Sequence, residues 1–563
     1  MNAQSEQVQP SDDPWRTHDV FNQVPPWAGG DLLALDTALQ EGLRLGAAEW
    51  ALPALHAYAG QISQPSSLAA AVAANEYPPR HRPFDPQGHR IDAVEFHPAW
   101  HLLLGRLRGA GGVSLPWRDH RAGRWSAWAA LFYLHGQVEQ GTLCPTTMTQ
   151  AAIPLLQREP ALWTLLGERL LADTYDETDA PLQHRRALWI GMGMTEKQGG
   201  SDVRANTTTA WPVQGQGRGA VYRLRGHKWF YSAPSSDAHL VSARLGPDGP
   251  IGCFFVPRWW LDGRRNAVRI QRLKDKLGNR SNASGEVEFQ DALGILIGEE
   301  GRGLATLVEM ASTTRISCVL GSAAILRSAL VQALHAARHR QAFGRRLADQ
   351  PAMRGVLLDL ALESEAALQL GLRLARACEG ESRLDHAWRR LVTPAAKFWV
   401  CKRTVAATAE AMEVLGGNGY VEESPLPRLL REAPVNSIWE GSGNVMALDI
   451  LRAVAREPAL ALTLWEDWRQ ALSADAAARR HLQWLQAALT SADAQELPAQ
   501  ARIVAQTMAL LAQATLLRRH APTAVADAFI ATRLGEPAGL TLGVVDARRY
   551  DTEAVLQRAL PPG

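Results

Sequence analysis

Lysine is nearly absent from this chain. Only six occur among 563 residues, at positions 197, 228, 274, 276, 397 and 402, so almost all of the basic charge is arginine. A basic excess is missing too. The 59 Lys and Arg face 57 Asp and Glu, for a formal net charge of +2. That balance excludes a generally basic nucleic-acid binder and leaves room only for a local patch. The five cysteines (Cys144, Cys253, Cys318, Cys378, Cys401) are scattered, with no C-x-x-C and no His-rich partner. This argues against a metal site and a disulfide framework, and fits a reducing cytosol. No uninterrupted apolar run approaches the ~18 residues of a membrane span. The first residues, MNAQSEQVQPSDDPW, are polar and acidic, unlike a secretory signal or a basic transit peptide. The expectation is a cytoplasmic protein with no membrane partner.

What is present divides by period. Leu32, Leu33, Leu35, Leu39 and Leu43, then Trp125, Trp128, Leu131 and Phe132, recur at helical spacing. The Pro-rich stretch 77–90 between them predicts a loop. From about 190 to 297 the period becomes two: Tyr222 and Leu224 alternate with arginines, and Val287 and Phe289 with glutamates. This predicts half-buried antiparallel strands. Beyond 300 the helical period returns and persists to the end. The predicted domains are 1–189 helical, 190–297 β, 298–452 a helical bundle and 453–563 a further helical domain. Helices, then strands, then helices indicate separate α and β domains and not βαβ units.

Five blocks carry candidate chemistry. GMGMTEKQGGSDVRANTTTA (191–210) is dense in Gly, Ser and Thr where the strands begin, and suits close backbone approach to a ligand. It lacks the nicotinamide G-x-G-x-x-G and the Walker A lysine. GHKWFYSAP (226–234) sets aromatics beside a hydroxyl. ARHRQAFGRRLADQPAMR (337–354) offers Arg forks suited to pyrophosphate. EVLGGNGY (413–420) pairs glycines after a helix. VNSIWEGSGNVM (435–446) puts Glu440 between an indole and a glycine, as a desolvated general base requires. Each block also has a plain reading: a polar turn, a core strand, a solvated helix end, a glycine stop, a surface glutamate.

Taken in order and spacing, the blocks resemble the acyl-CoA dehydrogenase flavoprotein family. FHPAWHLL (96–103), RLKDKLGNRSNAS (272–284), TPAAKF (393–398) and PVNSIWEGSGNVM (434–446) are similar to one branch of it, associated with the response to DNA alkylation. The resemblance implies an α+β multidomain fold: an N-terminal α domain, a middle antiparallel β-barrel-like domain, a four-helix-bundle domain and an extra C-terminal helical domain. It implies FAD and a homotetramer built as a dimer of dimers. Met192, Met194, Thr195 and Ser201 would line the flavin, with Phe230, Tyr231 and Ser232 on the strand behind the ring. Phe230 stands where β-oxidation members usually have Trp. Arg340 and Phe343 would reach the FAD of a neighbouring subunit, and Gly416 and Gly417 the adenosine half. Ser437, Trp439, Gly441, Ser442 and Asn444 complete the cofactor set. Glu440 matches the catalytic base, which removes the proton α to a thioester carbonyl while flavin N5 accepts a hydride. Some members carry that Glu earlier in the chain, where this sequence has Thr314.

Two functions then compete. One is an FAD protein that binds double-stranded DNA without sequence preference in an alkylation response, with weak acyl-CoA dehydrogenase activity. The other is a fully active dehydrogenase of a short branched acyl-CoA. For the DNA function, Arg518 and Arg519 at a helix end are the candidate phosphate contacts.

Overall fold

The computed structural model describes residues 15, 17–27, 29–491, 496–535 and 541–561; the polar N-terminal stretch lies almost wholly outside them. Two hydrophobic cores organise the chain. One runs continuously through all the helical parts. The other fills a small β-barrel around Tyr222, Leu224, Tyr231, Phe254, Val287 and Phe289.

The expected loop at 77–90 is instead half of a hairpin. β1 (Arg80–Phe84) pairs antiparallel with β2 (Arg90–Glu95), and the register slips between Arg82 and Phe84. Pro83 occupies the slip, where a missing amide hydrogen breaks no ladder bond. Asp85 closes the turn by accepting from the amides of Gln87 and His89.

The barrel strands are β3 (Ile190–Gly193), β4 (Thr209–Gln214), β5 (Val221–Ser232), β6 (Ala238–Leu245), β7 (Ile251–Pro257), β8 (Val268–Leu273) and β9 (Ser284–Ile297). The order β6-β4-β5-β9-β7 closes because β7 also pairs with β6; β3 adds to β6 and β8 to β9. Pairing is antiparallel apart from two short parallel contacts of β6, with β3 and with β4. Closure leaves few exposed edges.

Four helices form the bundle: Gly303–His339, Pro351–Glu379, Thr393–Val414 and Gly443–Arg456. The first is 37 residues long and passes the length and composition of a membrane span, although no uninterrupted apolar run marks it. Its apolar surface is packed inside the fold, so it is a core helix. The C-terminal helix Leu497–His520 lies against three of the four. Ion pairs fasten the last part of the chain to the bundle, Arg533 to Asp359 and Glu363 and Arg558 to Glu365, and Arg558 also pairs with Glu41 on the N-terminal helix Thr37–Leu45.

Candidate active site

Glu440 sits between a short turn (Ala433–Ser437) and the helix Gly443–Arg456. Its φ is +58°, a left-handed conformation that costs a non-glycine residue about 1–3 kcal/mol. Gly441 follows at φ +100°, and a Cβ there would meet Met446 at 2.5 Å. The surroundings over-determine this loop. Arg315 Nε donates to the Glu440 carbonyl at 3.0 Å, and its other end pairs with Asp449. Lys397, buried in the bundle, donates to the carbonyls of Gly441 (2.8 Å) and Asn436 (3.0 Å). Trp439 Nε1 donates to Asn436 Oδ1.

The carboxylate itself accepts one bond, from Thr314 Oγ1 to Oε2 at 2.7 Å. Oε1 has no partner among the described residues. Burial raises the pKa of Glu440 above its ordinary value, against the opposing pull of Thr314, Arg315 and Lys397. Thr314 and Glu440, the two positions between which sequence comparison chose a base, therefore touch.

The glycine-rich loop is tied to β5 by a second buried lysine. Gly191 and Gly193 face the barrel, where a Cβ would strike His239 or Tyr231, while Met192 and Met194 turn to the helical core. Glu196 is fully buried and accepts from Lys228 at 2.8 Å and from the amides of Thr207 and Thr208. Burial works against its charge, but these donors hold it down at about 2. Burial pushes Lys228 down to about 8, opposed by Glu196. A bulge in β5 falls between Lys228 and Tyr231, so Trp229 and Phe230 both project outward. Phe230 is 52% exposed, and the Trp229 amide bonds to the Thr195 carbonyl at 2.8 Å. Lys274 lies 3.4 Å over the Trp229 ring.

Three family models match the chain in succession: the adaptive response protein AidB N-terminal domain at 22–177, the acyl-CoA dehydrogenase middle domain at 191–292 and its C-terminal domain at 301–455. AidB of Escherichia coli K12 is 51% identical over 446 residues, 79% of this chain and 81% of that protein. The chain belongs to the acyl-CoA dehydrogenase family. The solved structure of Caenorhabditis elegans ACDH-11 in complex with C11-CoA superposes with a TM-score of 0.82 at 26% identity, covering 96% of this chain and 94% of that one. An acyl-CoA dehydrogenase from Bacillus anthracis complexed with FAD shares the fold at 16% identity, with a TM-score of 0.63 and 82% and 81% coverage. Acyl-CoA dehydrogenases are FAD-dependent proteins.

The residues present fit such a group. Phe230 beside the Thr195 backbone offers an open apolar face, and Ser201 is exposed at the loop end. Ser232 is half-buried at the end of the same strand. Gly416 (φ +61°) and Gly417 have nothing within 4 Å of a would-be Cβ. Phe343 is 99% exposed at the tip of a hairpin that Arg340 enters. Other expectations need correction. Tyr231 is 1% exposed, stacked on His239 at 3.9 Å inside the barrel, because the bulge reverses the alternation and turns this position inward. Asn444 Oδ1 already accepts from Arg502 at 2.8 Å, and the Ser437 hydroxyl donates to the Pro434 carbonyl. Ser442 is the last residue before its helix and Trp439 is half-buried.

Arg518 and Arg519 are not free cations. Arg518 is forked between Asp475 (2.6 Å) and Asp527 (2.8 Å), and Arg519 is bound to Asp467 (2.9 Å). The carboxylates that neutralise them come from two other helices (Asp467, Asp527) and from the turn before a third (Asp475), which a count along the sequence does not reveal. Sequence reasoning also missed Arg315, Lys397, Glu196 and Arg502. The shortage of lysine was a signal for Lys197, Lys228, Lys274 and Lys276, which fall in the most specific blocks; of these Lys228 is fully buried, and the equally buried Lys397 was not singled out.

Proposed function

We propose that this chain is an FAD-dependent acyl-CoA dehydrogenase-type oxidoreductase in which Glu440 takes the proton α to a thioester carbonyl. The observation that carries this is Glu440 itself: strained, clamped through its carbonyl, raised in pKa by burial and left with Oε1 open. Thr314 occupies Oε2, which leaves Oε1 as the oxygen that would take the proton. FAD, when bound, supplies the oxidant. The residues that would hold it are Met192, Met194, Thr195, Ser201, Phe230, Ser232, Gly416 and Gly417, with Arg340 and Phe343 from a neighbouring copy in a homotetramer. Exposure of Phe343 supports that last assignment. Five free cysteines support a cytosolic location. The test is anaerobic mixing of the purified holoprotein with a panel of acyl-CoAs while flavin absorbance is followed. Bleaching by a branched short-chain member is expected; no bleaching by any of them sinks the proposal.

A second reading is sequence-independent binding of double-stranded DNA in an alkylation response, with dehydrogenation secondary. It is favoured by the match of residues 22–177 to an adaptive response domain and by the 51% identity to AidB. The contact surface needs revision, since Arg518 and Arg519 are spent on carboxylates. Arg480 and Arg549 are exposed without a carboxylate partner among the described residues, and are the better candidates. Alanine at both should lower the salt slope of duplex binding by roughly one per lost phosphate contact; an unchanged slope removes them.

A further inference from the structure

The hairpin that carries Phe343 is held from behind by a segment far away in sequence. β10 (Gln341–Ala342) and β11 (Arg345–Arg346) are joined by Phe343 and Gly344, both at positive φ (+53° and +75°). A two-residue turn of this kind favours Asn-Gly, and an aromatic residue in its first position is strained. Two residues each are also too few to hold a hairpin in water without support. One support is local: Gln350 Nε2 donates to the Ala342 carbonyl. The other is Asn22. Its side-chain amide pairs with Gln341 as a strand backbone would, Nδ2 to the carbonyl at 2.9 Å and Oδ1 from the amide at 2.8 Å. Its own carbonyl accepts from Arg340 Nη1. Asn22 has φ +54°, which Asn tolerates better than most residues. The arm is anchored further back on the long helix, where His335 donates to the Pro25 carbonyl at 2.7 Å and Trp27 stands edge-on to His335 at 5.2 Å. Residues 18–23 and Arg340 line one shared cavity.

We infer that Asn22 is a positioning residue and that the arm Thr17–Trp27 is a strap that pre-orders Arg340 and Phe343 for the cofactor. One amide thus spans 319 residues and fixes the backbone of Gln341, the residue after Arg340, while the Asn22 carbonyl holds the Arg340 side chain. This rests on the proposal that the hairpin meets FAD. No sequence block hints at it, because the strap and the hairpin lie in different domains of the family match.

The test uses the full chain. Asn22→Gly keeps the left-handed backbone and removes the amide; Asn22→Asp keeps the acceptor for the Gln341 amide and loses the donor. Since Asn22 lies near the surface, neither change touches the core. Two readouts are taken: hydrogen exchange at the Gln341 amide, and FAD affinity by flavin fluorescence on reconstitution of the stripped protein. The Gly variant should speed exchange and weaken FAD by roughly five- to tenfold, with Asp between it and the parent. Unchanged exchange and affinity in the Gly variant overturns the proposal. Faster exchange with unchanged affinity, where Phe343→Ala does weaken FAD, overturns the positioning role. If Phe343→Ala and Arg340→Ala also leave affinity unchanged, the assignment of the hairpin as a cofactor contact has failed, and the strap's role fails with it.

Discussion

Two charged positions at helix ends stand out in the sequence, and the fold treats them in opposite ways. Glu440 precedes the helix Gly443–Arg456 with its main chain bound by Arg315 and Lys397 and one carboxylate oxygen unclaimed among the described residues. Arg518 and Arg519 close the helix Leu497–His520 with their guanidiniums claimed by Asp475, Asp527 and Asp467. At the first site the scaffold restrains the backbone and spares the functional atom. At the second it consumes the functional atom. A residue poised for chemistry is marked by where its partners bind it, and mere proximity to charge does not distinguish the two.

The sharpest way to break this contrast is Glu440→Gln. The amide keeps the shape and cannot take a proton, so turnover of any acyl-CoA substrate should fall by about 10³-fold or more while FAD content is unchanged. Stopped-flow reduction of the loaded enzyme checks it. In the parent, the acid limb of the rate profile should lie above the ordinary carboxylate range, because the raised Glu440 must ionise to act. A limb at an ordinary glutamate value would mean that burial does not tune this group.

Lys228→Met tests the same distinction where the pair is wholly structural. It leaves Glu196 buried and uncompensated, which should cost about 3–5 kcal/mol in denaturant unfolding, with loss of FAD because the 191–201 loop loses its anchor. Loss of activity with unchanged stability would instead place Lys228 in the chemistry.

Arg518→Ala/Arg519→Ala should act on stability and not on DNA. Removing both leaves Asp475 and Asp467 without their cations. These pairs are partly exposed, so the loss should be about 1–2 kcal/mol. Duplex affinity and its salt slope should not move. A reduced slope at full stability would restore these arginines to a phosphate surface.

How much of this was legible depends on range. The strand block, the bundle and the Glu440 block are written locally, in period and in adjacent residues, and sequence reasoning located them. What it missed is non-local. Thr314 and Glu440 are 126 residues apart, Asn22 and Gln341 319 apart, and Arg518 and Asp475 43 apart. The β5 bulge was hidden for another reason. It reverses the alternation within one strand, so Tyr231 points inward and Phe230 joins Trp229 outside, and no composition rule reports that. The hairpin at 80–95 was hidden by its prolines, since only register shows that Pro83 sits at a slip.

The smallest effect is expected at a carboxylate that resembles Glu440 in burial and differs in use. Glu432 accepts from the Asn279 amide at 2.7 Å and lies near Glu139 and Arg428. Burial, with the nearby Glu139, raises its pKa to about 7. The folded state therefore holds a proton that the unfolded state has already lost between about pH 4.5 and 7, so stability falls as pH rises through that window. In Glu432→Gln the acceptor oxygen remains and the ionisation is gone. The difference in unfolding free energy between variant and parent should grow in the variant's favour by on the order of 1 kcal/mol from about pH 6 to about pH 8. Because other groups titrate in both proteins, only this difference isolates Glu432. A difference that stays flat with pH would mean that Arg428 and Asn279 keep the carboxylate ionised throughout. Glu432 would then be a satisfied anchor of the Lys276–Asn282 loop, and Glu440 alone of this pair would carry the signature of a buried acid raised by its surroundings.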